Sequence, residues 1–271
     1  MGMINAEARI ARPPERGEGL ALRVGVPVAL VGLAGVGWWW SAKVAEDMSG
    51  GATSGGALDG MAMDGMADPM SLGAFVVAWV AMMAAMMLPA VLPVVKLYAR
   101  AAARGRVAPV PFFVAGYLAL WTVLALPAYL AWRELEMPLA DGRAWAGRIA
   151  GATLLAAALW QVSPLKSVCL RHCRSPIGFF LRYGERVRRP AGALRIGVVH
   201  GAFCIGCCWA LFAVLVAAAS MSLLWLAIFT ALIVIEKNSR HGERVALAAA
   251  PALGVLGVAL LIAPSWITTI A

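Results

Sequence analysis

The run from Ile196 to Ala219 contains no Asp, Glu, Lys or Arg, and its length limits what the chain can become. About 20 consecutive apolar residues in a helix span the hydrocarbon of a bilayer, so the run predicts a membrane-spanning helix. Inside it stands "HGAFCIGCCW", residues 200–209. At 100° per residue, His200, Cys204, Cys207 and Cys208 fall within an arc of roughly 100°. Polar and reactive groups at membrane depth are costly and mark functional positions. Soft thiolate and thioether sulfur selects Cu(I), with zinc the next choice. The plainer alternative is Cys packing as a small hydrophobe in a helix interface. Three thiols beside one imidazole favour the metal reading.

Other runs repeat the pattern. With 62 % hydrophobic and 14 % charged residues, the chain departs from soluble globular composition toward a polytopic membrane protein. We read an all-α bundle of about seven helices. Residues 1–23 form a cytoplasmic polar tail, residues 24–40 the first span, and residues 41–71 a Met-, Gly- and Asp-rich loop. Residues 72–263 form the metal-binding bundle and residues 264–271 an outer tail. Within the bundle the further spans are read at 72–95, 111–132, 145–162, 196–219, 223–235 and 245–263. The five Cys do not form a disulfide framework, because three share a helix and two adjoin basic loops.

The formal charge of +9 follows from topology rather than from nucleic-acid binding. On this span assignment, 19 of the 23 Lys and Arg fall on one side of the membrane. The positive-inside rule places that side, and the N-terminus, in the cytoplasm. A multi-pass chain of this kind belongs in a cytoplasmic membrane of the bacterial inner type, with lipid as its first partner.

Three more stretches carry candidate ligands. Met82, Met83, Met86 and Met87 pair at i and i+4 in the second span, followed by Pro89 and Pro93. Thioethers take Cu(I), although Met also fills gaps in cores. The outer loop interleaves Met48, Met61, Met63, Met66 and Met70 with Asp59, Asp64 and Asp68. Such a segment suits collection of Cu(I) in an oxidising compartment; its alternative is a low-complexity linker. On the inner side, Cys169, His172 and Cys173 follow Pro164. If that segment is helical, the two Cys face the same way and suit linear Cu(I) or half a zinc site. Glu236 and Lys237 close the sixth span, read first as an interfacial charge pair, with a ligand or proton role for Glu236 as the alternative.

In order and spacing, "AMMAAMMLPA", "QVSPLKSVCLRHCRSP", "HGAFCIGCCWAL" and the late "EK" resemble the predicted metal-binding integral membrane protein family (domain of unknown function 2182). Its members are often labelled copper chaperones. The resemblance covers about Leu72 to Ala263 and implies metal binding more than any particular task. Ser163 and Phe212 stand where the family more often has Thr and Met.

We therefore expect a copper(I)-binding membrane protein that collects, relays or delivers the ion to a copper-accepting protein or copper enzyme subunit, or receives it from a donor. The alternative is a copper-dependent membrane oxidoreductase or a subunit of one, and a structural subunit is the blandest reading. Oxygen-activating copper sites favour imidazole, and the chain has only His172, His200 and His241, so the reading leans away from an enzyme. No phosphate-binding loop ending in GK[ST] is present, which argues against pumping by this chain alone. The second and fifth helices are expected to touch, with Met82–Met87 facing Cys204–Cys208 and with Gly197 and Gly201 allowing the approach.

Overall fold

A computed structural model describes residues 24–50, 71–174, 187–218 and 223–266, without the side chains of residues 44–50. The outer Met61, Met63, Met66 and Met70, and the side chain of Met48, lie outside the described residues. The fold is an all-α bundle, with no strand among the described residues. Its helices are α1 (Val26–Gly50), α2 (Leu72–Ala103), α3 (Val110–Val123), α4 (Ala125–Ala140) and α5 (Ala144–Gln161). There follow α6 (Pro164–Arg174), α7 (Pro190–Ala217), α8 (Leu223–Asn238) and α9 (Gly242–Ile262).

Among the described residues, the stretches expected to span the membrane are helical, the one at 111–132 with a break at Leu124. Four of the helical rods are long and apolar enough to cross one: Leu72–Ala103, Val110–Ala140, Pro190–Ala217 and Gly242–Ile262. Helices α5 and α6 make a fifth span if taken together across their 66° bend. The outer surface of these rods carries large apolar side chains, among them Val123, Leu126, Leu159, Val255 and Ile262. Hydrocarbon is the solvent that matches such a surface.

Proline chemistry explains where the helices break. Pro127 has no N–H to offer the carbonyl of Val123, and α3 gives way to α4 at Leu124. Pro164 disfavours helical geometry at the residue before it, and Ser163 accepts a hydrogen bond from the Leu165 N–H at 3.2 Å. The chain turns there and restarts as α6 inside the basic segment that the sequence read as a loop. Pro190 opens α7 at a position where a missing N–H costs nothing. Gly105 and Gly142 follow α2 and α4 with φ of 63° and 65°, the left-handed geometry in which helices commonly end.

Glycine also sets which helices lie closest. A Cβ at Gly197 would come 2.9 Å from Tyr117 N, and one at Gly201 would come 3.2 Å from Leu120 Cδ2. This pair brings α7 against α3, not against α2 as its spacing alone suggested. A small-xxx-small pair says that a close neighbour exists, and the order of packing decides which one. A second seam joins α5 to α9, where a Cβ at Gly151 would lie 2.9 Å from Gly257 O. Helix α2 reaches α7 through long side chains instead. Trp79 lies 6.5 Å from Phe212, ring to ring, and the Trp79 indole donates to Trp121 O of α3 at 2.9 Å.

Candidate metal centre

Helix α7 places its sulfur atoms by periodicity, since positions 204, 207 and 208 share a face. All three Cys are buried, and the five Cys of the chain are all free thiols. The Cys207 and Cys208 thiols donate to the Cys204 carbonyl at 3.0 and 2.9 Å. This i−4 and i−3 back-bonding satisfies thiols that have no water to turn to. It also turns two of the sulfurs toward their own helix. Among the described residues, no group of three or more His, Cys, Asp or Glu is gathered to hold an ion in this arrangement.

Sulfur atoms from other helices close on this face. Cys204 Sγ lies 3.9 Å from Met87 Sδ of α2. Cys173 Sγ of α6 lies 3.9 Å from Cys207 Sγ. The 66° turn at Ser163–Pro164 is what brings α6 back over α7. Contact there is tight. Gly206 leaves room for the Cys169 sulfur, because a Cβ at that position would come within 2.7 Å of it. Trp160, at the end of α5, donates its indole N–H to Gly206 O at 3.1 Å and ties the bend to the same turn of α7.

Two further groups were not legible as partners of the cluster. Tyr117 Oη of α3 lies 2.9 Å from Cys204 Sγ. Lys237 Nζ of α8 lies 2.7 Å from Cys204 Sγ, 3.8 Å from Met87 Sδ and 4.0 Å from Cys208 Sγ. Glu236 does not pair with Lys237. Its carboxylate takes Lys166 Nζ at 2.7 Å and Gln161 Nε2 at 3.0 Å, and Lys166 also donates to Gln161 Oε1. Neighbouring residues on a helix project 100° apart, so Glu236 points to the α5–α6 bend while Lys237 points into the sulfur. The available signal was the cost of burying charge. Lys166, Gln161, Glu236 and Lys237 are 1, 4, 2 and 7 % exposed, and groups buried that deeply require partners.

The remaining candidates are distributed around this centre. Met83 and Met86 are fully buried in α2 and Met82 is half-buried. His200 is buried one turn before Cys204, its ring 5.9 Å from Phe113 and 6.1 Å from Tyr117. His172 stacks flat on Phe203 at 4.5 Å, with Nδ1 2.9 Å from the Val168 carbonyl oxygen. Cys169 is half-buried in the middle of α6.

The donor set fits a soft monovalent cation. Metal–thiolate bonds of about 2.3 Å each span up to roughly 4.6 Å, so an ion can bridge Cys204 Sγ and Met87 Sδ without moving a helix. A positive group already stands against both sulfurs in the form of the Lys237 side chain. A family model, PpoB2, described as copper chaperone, matches residues 76–260, which is more than half of the chain and includes every helix of this centre. No curated protein and no solved structure matches the chain.

Proposed function

The chain belongs to the PpoB2 copper chaperone family, and from that premise we propose that it carries Cu(I) on sulfur through a membrane-embedded bundle. The observation that carries this reading is the pair of sulfur contacts that α7 makes with two other helices, Cys207 with Cys173 of α6 and Cys204 with Met87 of α2, each at 3.9 Å. Cys204 and Met87 form the central pair. Cys207 and Cys208 join by rotating away from the Cys204 carbonyl, which takes a change of χ1 and no backbone movement. Cys173, with Cys169 beyond it, extends the set toward the basic inner side. His200, Met83 and Met86 border the same turns and supply neighbouring donors. Exchange between weak neighbouring sites lets an ion move without any one site trapping it. Zinc fits less well, because Met is a poor ligand for it.

Copper loaded anaerobically onto the purified full chain should give an X-ray absorption spectrum with a sulfur-only shell at about 2.3 Å. A shell dominated by nitrogen or oxygen, or no copper retained, would remove this reading.

The Met-rich segment at 41–71 is then the collector on the outer face, and α6 is the delivery side. The motive is the one-sided distribution of Lys and Arg. A single Cys introduced at position 60 of a Cys-free variant should react with an impermeant maleimide on intact cells. Reaction only after the membrane is opened would reverse the direction assigned here.

A further inference from the structure

Outside the proposed ligand set, buried Tyr117 touches one sulfur of the cluster, whereas buried Lys237 reaches three. Its ammonium has Cys204 Sγ at 2.7 Å, Met87 Sδ at 3.8 Å and Cys208 Sγ at 4.0 Å. These atoms come from two helices, and the ammonium completes the cluster from a third. A buried lysine needs partners, and here the partners are the soft donors that a monovalent metal cation would use. Two positive charges cannot share that space in a medium of low dielectric without strong repulsion.

The mounting of Lys237 allows it to leave. It stands one residue before the end of α8, at Asn238, so its four-carbon stem can carry the charge past the helix terminus with no helix displaced. Its neighbour Glu236, 100° round the helix, is held by Lys166 and Gln161, which fixes the rotation of α8 and returns Lys237 to the sulfurs. The helix is anchored, so only the side chain has to swing.

We propose that Lys237 is a tethered competitor for the metal position: its ammonium holds the Cys204–Met87–Cys208 cluster, withdraws to admit Cu(I), and returns to expel it. The inference rests on the copper reading above and adds to it the device that keeps binding reversible. A chaperone must surrender its cargo, and a charge attached to the protein competes at a fixed, high local concentration.

The test compares wild type, Lys237→Leu and Lys237→Arg as full chains in detergent. Each is titrated with Cu(I) against a chromophoric chelator, and release to excess chelator is followed by stopped flow. Lys237→Leu keeps the volume, removes the charge and adds no ligand; it should bind Cu(I) at least tenfold more tightly and release it correspondingly more slowly. Lys237→Arg keeps a positive charge and should stay near wild type. Copper bound by Lys237→Leu and not by wild type also supports the competitor. Equal or weaker binding by Lys237→Leu overturns it while the copper reading stands. Binding by neither protein overturns both. If Lys237→Leu fails to assemble, Lys237→Gln gives the same comparison with another neutral side chain.

Discussion

Replacing Cys204 and Cys208 together with Ser is expected to lower bound Cu(I) from about one ion per chain to background, with the bundle still assembled. Ser oxygen is a hard donor, and losing both sulfurs leaves Met87 and Cys207 as ligands from different helices without their shared neighbour. The fold should persist because Ser is close to Cys in volume. Its hydroxyl can also accept from Lys237 and donate back to the i−4 carbonyl, as the Cys208 thiol does at 2.9 Å. Copper content of the purified variant, with helicity by circular dichroism as the control, reads the two parts separately. Undiminished copper would move the site to Cys169 and Cys173 or to the outer Met segment.

Lys166→Met is expected to destabilise the bundle by about 3–5 kcal/mol, the usual cost of removing one partner from a buried ion pair. Glu236 accepts Lys166 Nζ at 2.7 Å, with both side chains 2 % exposed, so the substitution leaves a carboxylate in the interior with only Gln161 beside it. Adding Glu236→Gln should recover most of the loss, because a neutral amide in that place no longer needs a counter-charge. The comparison is made by reversible unfolding in mixed micelles. A single substitution costing less than about 1 kcal/mol would mean that the pair is solvated and works as a surface bridge. A double variant no better than the single would assign the loss to packing.

The four methionines of α2 show how far periodicity carries. Met82, Met83, Met86 and Met87 occupy a broad face that the spacing identifies, and three of them are fully buried. Only Met87 meets a Cys204 sulfur among the contacts described. Which of four similar thioethers arrives at the thiol depends on the depth at which α2 crosses α7, and that depth is set by Trp79 packing against Phe212 and bonding to Trp121. Glu236 and Lys237 teach a related point. Read along the chain they are opposite charges side by side, and a mutual pair is the economical reading. On the helix they diverge by 100°, and each finds a partner more than 30 residues away in sequence.

The amino-acid sequence alone determined that this chain is helical, where its apolar runs lie, and which residues are chemically suited to a soft cation. Those properties are local: span length follows from the apolar runs, face from the 3.6-residue period, and ligand preference from the side-chain atom. The tertiary structure decided which of these residues meet. It turned α6 inward at Ser163–Pro164 so that Cys173 reached Cys207, and it seated the Gly197–Gly201 face of α7 on α3. It also rotated α8 so that Lys237, and not Glu236, entered the sulfur cluster. The period of a helix sets the angle between its own side chains, whereas its rotation and height against a neighbour are set by packing across the whole bundle, which no single segment encodes.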